Sequence, residues 1–250
     1  MSNTMISRGS RGVCAILQEV SCAFKRNYAK MEVAPLQKAL LQELCILVDE
    51  QDKPVGEATK EYSHRVAQDG SIPLHRAFSV FLFNNNGDLL VQKRSPTKIT
   101  FPEMYTNTCC SHPSAKNPGE AEEDNALGIK KAARRRLADE LGIPVSEVQP
   151  TDFNYLTRIH YYASSDGYWG EHEIDYILFL QKDKVSLDPN PDEVSEIRWV
   201  PRDQIEKFVK EINAPLTPWF KLILNNKLLY WWDNLKDLDK LQDHSTIHRF

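Results

Sequence analysis

The sequence contains few cysteines and no cysteine pair at the spacing of a metal site. There are five in 250 residues, an odd number, at Cys14, Cys22, Cys45, Cys109 and Cys110. This number and the lack of a CxxC spacing argue against a disulfide framework and against a zinc ribbon. The plain interpretation of the adjacent pair, Cys109 and Cys110, is two reduced thiols partly buried in a strand.

The sequence also lacks a long apolar run and an excess of positive charge. No run reaches the roughly 18 apolar residues of a membrane span, so we expect no membrane partner. The formal net charge of −4 gives no electrostatic reason to expect nucleic acid. With 41% hydrophobic and 26% charged residues, the chain is predicted to form one domain with terminal extensions. Any anionic ligand must therefore be held by a local group of Lys and Arg side chains.

The two ends of the chain carry possible targeting signals. The first 30 residues hold five Lys or Arg residues against one acidic residue, Glu19, which resembles a mitochondrial or plastid targeting sequence. A disordered tail, or an extension upstream of a second start at Met31, is the alternative. The last three residues, HRF, have the form of a weak peroxisomal signal. We expect residues 1–40 to be an N-terminal extension and the protein to be cytoplasmic or peroxisomal, unless the extension directs it to an organelle.

Between the ends, short apolar runs alternate with turn signals. Strands are predicted at ELCILVDE, HRAFSVFLF, LLVQKR, YTNTCCSH, FNYLTRIHYYA, HEIDYILFLQ and VSEIRWVP. The second and third of these, joined by NNNGD, are predicted to form a hairpin. Helices are predicted in GEAEEDNALGIKKAARRRLADELGI, near PRDQIEKFVKEI and at residues 217–236. This order predicts an α+β fold, an α/β/α sandwich with a mixed β-sheet between helices.

The central helix has a predicted apolar face and an end at Gly142. The face consists of Ala126, Ile129, Ala133, Leu137 and Leu141. Its last turns, RRLADELGI, fit the consensus R-E-U-x-E-E-x-G-U, where U is apolar, and so resemble the Nudix box. In that family, glutamates of this helix hold magnesium against a diphosphate, because hard oxygen ligands suit Mg²⁺.

This helix departs from the Nudix box at three positions. Arg136 and Asp139 replace glutamates, and Leu127 occupies the upstream glutamate position. These changes remove most of the metal cluster that a Nudix hydrolase needs. Glu140 remains and could bind one Mg²⁺, with Arg136 one turn before it directed at the same phosphate. Alternatively, the two residues form an i,i+4 ion pair on a solvated helix face.

A second set of metal-binding residue types is spread along the chain. In WGEHEIDYILF, Glu171 and Glu173 stand two residues apart at the start of a strand and so project to one face. Three histidines stand in other segments: His64, His75 and His112. Together these groups could fill most of an octahedral shell around Mn²⁺, or around Zn²⁺ in an expanded geometry. From spacing alone, however, polar residues this far apart are more often surface groups.

A series of motifs resembles the type I isopentenyl diphosphate isomerase family. In chain order these are TKEYSH, PLHRAFSVFLF, KRSPTKITFP, TNTCCSHP, RRLADELGI, HYYASSDGYWGEHEID and LTPWF. The resemblance begins near Leu41 and implies an isomerase at residues 41–250, with a Nudix core at about 73–221. It implies a reaction that moves a C=C bond, converting isopentenyl diphosphate into dimethylallyl diphosphate for isoprenoid and sterol synthesis.

The resemblance implies four catalytic residues. An alkene is a poor base, so the enzyme must protonate it, survive a tertiary carbocation and remove a proton from the other side of the allylic unit. In our working assignment Glu173, bound to metal and assisted by Tyr161, delivers the proton and Cys110, as a thiolate, accepts the other. The sequence leaves open which group acts as acid. Trp219 matches the family's active-site tryptophan and would stabilise the cation through its π face, with core packing as the alternative.

The resemblance also implies two binding sites. The implied metal ligands are His64, His75, His112, Glu171 and Glu173. The implied diphosphate ligands are Lys60, Arg94, Lys98, Ser111 and Arg136. The first set would hold a tightly bound divalent ion, Mn²⁺, Zn²⁺ or Mg²⁺, that tunes the acidity of Glu173. The second would act together with a Mg²⁺ ion bound to Glu140, and this ion would bridge the phosphate oxygens. The expected partner is thus a small-molecule diphosphate, and we expect a monomer.

One position departs from the isomerase pattern. Glu103 stands where many members have glycine, and we expect its side chain to point to solvent rather than to oppose the diphosphate. Two other functions are alternatives to isomerisation. One is a Nudix pyrophosphohydrolase, which the missing box glutamates disfavour. The other is a catalytically silent metal-binding scaffold, which the presence of Cys110 and Glu173 disfavours.

Overall fold

The computed structural model describes residues 34–250, which form one compact unit from Pro35 onward. Helix α1, Pro35–Leu40, belongs to this unit, and the boundary expected at residue 40 stays a prediction. The rest of the predicted extension, with its basic residues, lies outside the described residues. Within residues 34–250, no helix is both long enough and apolar enough to cross a bilayer.

The described residues contain ten strands and six α-helices. The strands are β1 (Leu44–Val48), β2 (Pro54–Thr59), β3 (His75–Phe83), β4 (Leu89–Arg94), β5 (Tyr105–Thr106), β6 (Cys109–Ser111), β7 (Phe153–Ser164), β8 (Gly170–Gln181), β9 (Val194–Val200) and β10 (Ile247–Arg249). The other helices are α2 (Lys60–His64), α3 (Leu127–Leu141), α4 (Ile205–Glu211), α5 (Pro218–Ile223) and α6 (Leu229–Asp233). Every predicted strand is present, with YTNTCCSH divided into β5 and β6, while β2 and β10 were not predicted.

The strands of this region form one mixed sheet, which confirms the predicted α+β fold. At its centre, β3 runs parallel to β8 in a register that places His75 opposite Glu173. Strands β7 and β8 form a long antiparallel hairpin, and β10 adds parallel to β7. Because elements cover both faces of the central strands, every side chain of β3 is buried, as is typical of parallel pairs.

The second edge of β3 is shared by three short segments. It pairs with β1 at His75, with β6 at residues 78–80, and with β4 only at Phe83. The predicted hairpin of β3 and β4 is therefore wrong beyond its turn, because β4 pairs instead with β5 and β9. Since β6 occupies the middle of this edge, the TNTCCSH segment lies directly beside β3.

Helix α3 packs its predicted apolar face against one side of the sheet. All five residues of that face are buried, and each buried leucine contributes about 2 kcal/mol to stability. Ala126 precedes the helix in a left-handed conformation, with φ 53, and its side chain makes no capping hydrogen bond. Gly142 ends the helix as predicted, since its φ of 65 favours glycine and a Cβ there would collide with the Asp188 backbone.

The predicted helix at residues 217–236 is interrupted. Helices α5 and α6 are joined by a π-helical segment, Leu224–Leu228, and a 3-10 segment, Leu235–Leu241, follows. Trp219, Trp231 and Trp232 are all buried against the other side of the sheet. The chain then enters β10, and the N–H of Phe250 donates to the carbonyl oxygen of His160. The HRF end is thus paired within the sheet.

Candidate active site

Side chains from β3, β6, β7, β8 and helices α2 and α5 enclose a narrow cavity of about 40 Å³. Most of the predicted site residues line it, and only His75, Arg136 and Glu140 lie outside the lining. The predicted residues in the lining are Lys60, His64, Arg94, Lys98, Cys110, Ser111, His112, Tyr161, Glu171, Glu173 and Trp219. Segments far apart in sequence therefore converge on one space.

The strand registers explain this convergence. Every second side chain of a strand points to the same face, so Glu171, Glu173 and Asp175 of β8 share one face. In the antiparallel hairpin, Tyr161 of β7 lies beside Glu173. On the other side, the parallel register places His75 of β3 beside the same glutamate. Glu173 is thus flanked by two predicted site residues through backbone pairing alone.

Three histidines and one glutamate form what we call the histidine group: His64, His75, His112 and Glu173. One ligand atom of each lies within 4.8 Å of the others, and the imidazole centroids are 4.6 to 5.0 Å apart. The Nδ1 atoms of His64 and His75 donate to backbone carbonyl oxygens, which leaves a lone pair on each Nε2. Both Nε2 atoms, and Nδ1 of His112, are buried without a hydrogen-bond partner. Because each such atom costs about 1–3 kcal/mol unpaired, the donor set fits a divalent metal ion.

The protonation states of the histidine group also suit a metal. Burial lowers the pKa of His64 well below its usual value and that of His112 to about 3. Burial alone would raise the pKa of Glu173, but the hydrogen bond from His112, at 2.8 Å, and the neighbouring His75 imidazole, whose Nε2 lies 3.4 Å from the carboxylate, hold it well below its usual range. Neutral imidazoles and an ionised carboxylate are the forms that coordinate metal.

Glu171 does not belong to the histidine group, and its role as a metal ligand stays a prediction. Its carboxylate accepts a hydrogen bond from Thr100 Oγ1 at 3.0 Å. The Tyr161 hydroxyl lies 3.0 Å from Glu171 and 2.5 Å from Glu173. Burial, followed by the charge of Glu173, raises the pKa of Glu171 to about 7. Glu171, Tyr161 and Glu173 therefore form a chain of oxygen atoms that can share a proton.

The two adjacent cysteines point to opposite sides of β6. Cys109 is fully buried in the core between α3 and the sheet. The Sγ atom of Cys110 lies 3.0 Å from Asn107 Oδ1 and 2.9 Å from Trp219 Nε1. The Asn107 amide nitrogen donates to two backbone carbonyls, which fixes its oxygen toward the thiol. Burial, followed by the charge of Asp175, raises the pKa of Cys110, so the group is a thiol at neutral pH.

Trp219 both packs in the core and faces the cavity. Its ring is 1% exposed and makes an edge-to-face contact with Phe101, with centroids 5.4 Å apart. The guanidinium carbon of Arg94 lies 5.6 Å from its ring centroid. An electron-rich ring in the cavity wall can stabilise a positive charge that develops there. The packing and cation interpretations of Trp219 are therefore compatible.

Four buried charged residues form a second cluster, the ion-pair group: Lys98, Arg136, Glu140 and Glu193. Lys98 Nζ lies 2.5 Å from Glu193, and Arg136 Nη2 lies 2.7 Å from Glu140 and 3.4 Å from Glu193. Arg136 and Glu140 are each 3% exposed, so the interpretation of this pair as a solvated helix face is wrong. The face is covered because α3 packs against the sheet here, and Gln92 of β4 donates to the second oxygen of Glu140.

The remaining predicted diphosphate ligands line the cavity together with Lys98. Arg94 donates to the carbonyl oxygens of Thr100 and Phe101 at 2.8 and 3.0 Å, while Lys60 and Ser111 line the cavity. Glu103 is exposed and lies outside the lining, as expected. Its φ of 59 is in the left-handed region that favours glycine.

Sequence reasoning missed three buried residues at this site. Asp175 continues the i,i+2 series of Glu171 and Glu173, and Asn107 lies within the TNTCCSHP motif, so both had a local signal. Glu193 had none, because the surrounding NPDEVSE segment has the composition of an exposed loop. Its partner Lys98 is 95 positions away in the chain.

The chain is similar to one protein-family model and to several named proteins. The NUDIX domain family model matches residues 73–220. An Isopentenyl-diphosphate Delta-isomerase 1 from Mesocricetus auratus is 53% identical over 216 residues, covering 85% of this chain and 94% of that protein. A chloroplastic Isopentenyl-diphosphate Delta-isomerase I from Arabidopsis thaliana is 47% identical over 231 residues, covering 89% of this chain and 78% of that protein.

Solved structures share the fold at much lower identity. A protein from Deinococcus radiodurans superposes with a TM-score of 0.51 and 19% identity, covering 74% of this chain and all of that chain. A NUDIX hydrolase from Alicyclobacillus acidocaldarius gives the same TM-score at 12% identity, covering 68% of this chain and 97% of that chain. At these identities, the likeness establishes the fold alone.

Proposed function

The chain belongs to the isopentenyl-diphosphate delta-isomerase family, within the NUDIX fold, and on that premise we propose how its residues divide the reaction. The reaction interconverts isopentenyl diphosphate and dimethylallyl diphosphate for isoprenoid biosynthesis. It needs an acid and a base on the two sides of an allylic unit. The observation that carries the proposal is that Cys110 and Glu173 line the same cavity from different strands.

Backbone pairing supports this division of roles. Cys110 lies opposite Ser79 of β3, and Glu173 lies opposite His75. These positions on β3 are four residues apart, which corresponds to about 13 Å of backbone. Their side chains reach the same cavity from these two positions, so an isoprene unit bound there would have access to both. The hydroxyl of Tyr161, 2.5 Å from Glu173, extends the reach of the carboxylate into the cavity.

The protonation states of Cys110 and Glu173 support a reaction that runs in both directions. In the forward direction, we assign proton delivery to Glu173 with Tyr161 and proton removal to Cys110 as a thiolate. Burial favours the Cys110 thiol, and the neighbouring histidines favour the Glu173 carboxylate. These are the forms that a forward turnover leaves and from which the reverse reaction starts. Each forward turnover therefore requires the thiol proton to return to the carboxylate side, where Glu171, with its pKa near 7, can store one.

The intermediate cation needs an electron-rich wall that is not a nucleophile. The Trp219 ring provides such a wall, and its Nε1–H, donated toward Cys110 Sγ, keeps ring and thiol in a fixed relation. A divalent ion bound by the histidine group would hold the Glu173 carboxylate in place and tune its acidity. The identity of that ion, Mn²⁺, Zn²⁺ or Mg²⁺, belongs to this proposal.

The diphosphate is assigned to Lys60, Arg94, Lys98 and Ser111 in the cavity wall. Arg136 and Glu140 lie outside the lining, and the Glu140 oxygens accept hydrogen bonds from Arg136 and Gln92. A carboxylate keeps further lone pairs, so Glu140 can still bind Mg²⁺ when the ion arrives with the diphosphate. The acidic protein would in this way hold an anion through a local concentration of positive charge.

The proposal also covers the partner, the oligomeric state and the location of the enzyme. The substrate partner is a small diphosphate, and we propose a monomer. Two Arabidopsis thaliana relatives are named chloroplastic, which supports organelle targeting by the N-terminal extension. The C-terminal HRF is paired with β7, so a peroxisomal receptor would have to release it first, and we favour a cytoplasmic or plastid location over a peroxisomal one.

Product analysis tests the function. The purified full-length protein is incubated with isopentenyl diphosphate and Mg²⁺ in D₂O, and the products are identified by NMR. We expect dimethylallyl diphosphate with deuterium in a methyl group, because protonation at the alkene carbon draws on exchangeable protons. Release of phosphate or a monophosphate would instead indicate a hydrolase, and unchanged substrate would indicate a silent scaffold.

A further inference from the structure

A buried carboxylate that the mechanism does not use lies beside the diphosphate ligands. Glu193 precedes β9, and its side chain is only 2% exposed. Its Oε2 atom lies 2.5 Å from Lys98 Nζ and 3.4 Å from Arg136 Nη2, while Oε1 accepts a hydrogen bond from Gln37 of α1 at 3.1 Å. One carboxylate thus connects helix α1, helix α3 and the segment that follows β4.

The position of Glu193 is fixed by the backbone. Its N–H donates to the carbonyl oxygen of Asn190, and its own carbonyl oxygen accepts from the N–H of Ser95, three residues before Lys98. The loops that carry Glu193 and Lys98 are therefore held together independently of the ion pair. An unpaired charge at this depth would be costly, so the placement of a carboxylate here serves its cationic neighbours.

The neighbour that depends most on Glu193 is Lys98. Burial lowers the pKa of Lys98 to about 8, and Glu193 is the largest opposing influence. The other charges that act on Lys98 are Arg94 and Lys60, which lower its pKa, and Glu140, which raises it. Without the Glu193 charge, burial and two nearby cations would be opposed by Glu140 alone, so the pKa of Lys98 would fall further.

We propose that Glu193 is a positioning residue of the diphosphate subsite, which keeps Lys98 charged and directed into the cavity in the absence of substrate. This inference rests on the proposed function, because it assumes that the Lys98 part of the cavity receives the diphosphate. Substrate binding then replaces a protein carboxylate by phosphate oxygens around the same ammonium group. The cation is organised before the anion arrives, which reduces the cost of binding.

The test compares Glu193→Gln with Asp192→Asn. Both changes remove one negative charge from adjacent residues, but Asp192 is exposed. In Glu193→Gln, we expect KM for isopentenyl diphosphate to rise about tenfold or more with kcat largely kept, since a charge-assisted contact to phosphate is lost. The rise should be steeper at about pH 8 than at about pH 6, where Lys98 regains its proton. Asp192→Asn should match the wild type at both pH values.

A second variant covers the case in which Glu193→Gln does not fold. Glu193→Asp keeps the charge but shortens the side chain by one CH₂ group, which moves the carboxylate away from Lys98. We expect KM to rise severalfold without a new pH dependence. The same order should appear in the affinity for inorganic pyrophosphate with Mg²⁺, measured by calorimetry. Unchanged KM in both Glu193 variants, or a loss confined to kcat, would overturn the inference. If the wild type itself forms no dimethylallyl diphosphate, it is the proposed function that fails.

Discussion

The histidine group and the ion-pair group are both buried clusters of charged or titratable side chains, yet they differ in how many of their polar atoms have a partner in the protein. In the histidine group, two Nε2 atoms and one Nδ1 atom have no partner. In the ion-pair group, each cation already faces a carboxylate of the protein, as Lys98 faces Glu193 and Arg136 faces Glu140. The first group presents unpaired lone pairs and one carboxylate, whereas the second contains two cations and two carboxylates.

This difference corresponds to two kinds of ligand. A cluster of unpaired lone pairs gains stability from a resident metal ion, because binding removes the cost of the unpaired atoms. A cluster of ion pairs can exchange one anion for another at small net cost, since breaking a buried pair is expensive only when the charge stays uncompensated. The second arrangement suits a substrate that must leave after each turnover. We therefore expect changes near the histidine group to affect chemistry and changes in the ion-pair group to affect binding.

The largest effect should come from the thiol that shares the cavity with Glu173. Cys110→Ala removes the proposed acid or base, and we expect kcat to fall about a thousandfold or more with KM little changed. Cys109→Ala provides the matched control, because the neighbouring thiol is buried in the opposite core. It should keep most of kcat and lose about 1 kcal/mol of stability from the small cavity. Steady-state kinetics measure kcat and KM, and urea unfolding measures stability. Loss of kcat in Cys109→Ala but not in Cys110→Ala would show that Cys109 is the catalytic thiol.

The assignment of the two cysteines was accessible from sequence because it depends on strand alternation. If TNTCCSH is extended, Cys110 shares a face with His112 and Cys109 does not. The same period of two grouped Glu171 with Glu173, and helical spacing identified the buried face of α3. These features are local, so a few residues are enough to predict them.

Features that depend on distant partners could not be predicted in this way. The pairing of Lys98 with Glu193 joins segments 95 positions apart. The burial of Arg136 and Glu140 depends on how α3 meets β4, and the loss of the expected hairpin depends on β6 taking the middle of the β3 edge. The positions of the metal and diphosphate ligands came from resemblance to a family, since spacing alone did not separate them from surface groups.

A substitution in the ion-pair group should weaken substrate binding without removing the resident metal. Glu140→Gln removes the proposed Mg²⁺ ligand, and we expect KM for isopentenyl diphosphate to rise about tenfold. The tightly bound metal, measured by elemental analysis, should stay at the wild-type level. His75→Ala serves as the contrast, because it should lower metal affinity by about ten- to a hundredfold. Loss of the metal in Glu140→Gln would show that the two groups do not act separately.

In the metal-free protein, the histidine group should make stability, rather than catalysis, depend on pH. Burial holds the pKa of His64 well below the usual 6.5 and that of His112 at about 3, so only the unfolded chain takes up these protons as the pH falls below 6.5. Stability should therefore be full above that value and decline by about 1–3 kcal/mol per pH unit below it. Urea unfolding of chelator-treated protein between about pH 7 and pH 5.5 measures this slope, and His64→Gln should reduce it. A flat profile would mean that the histidines are charged in the folded chain, in which case a protein carboxylate, not a metal, would satisfy the histidine group.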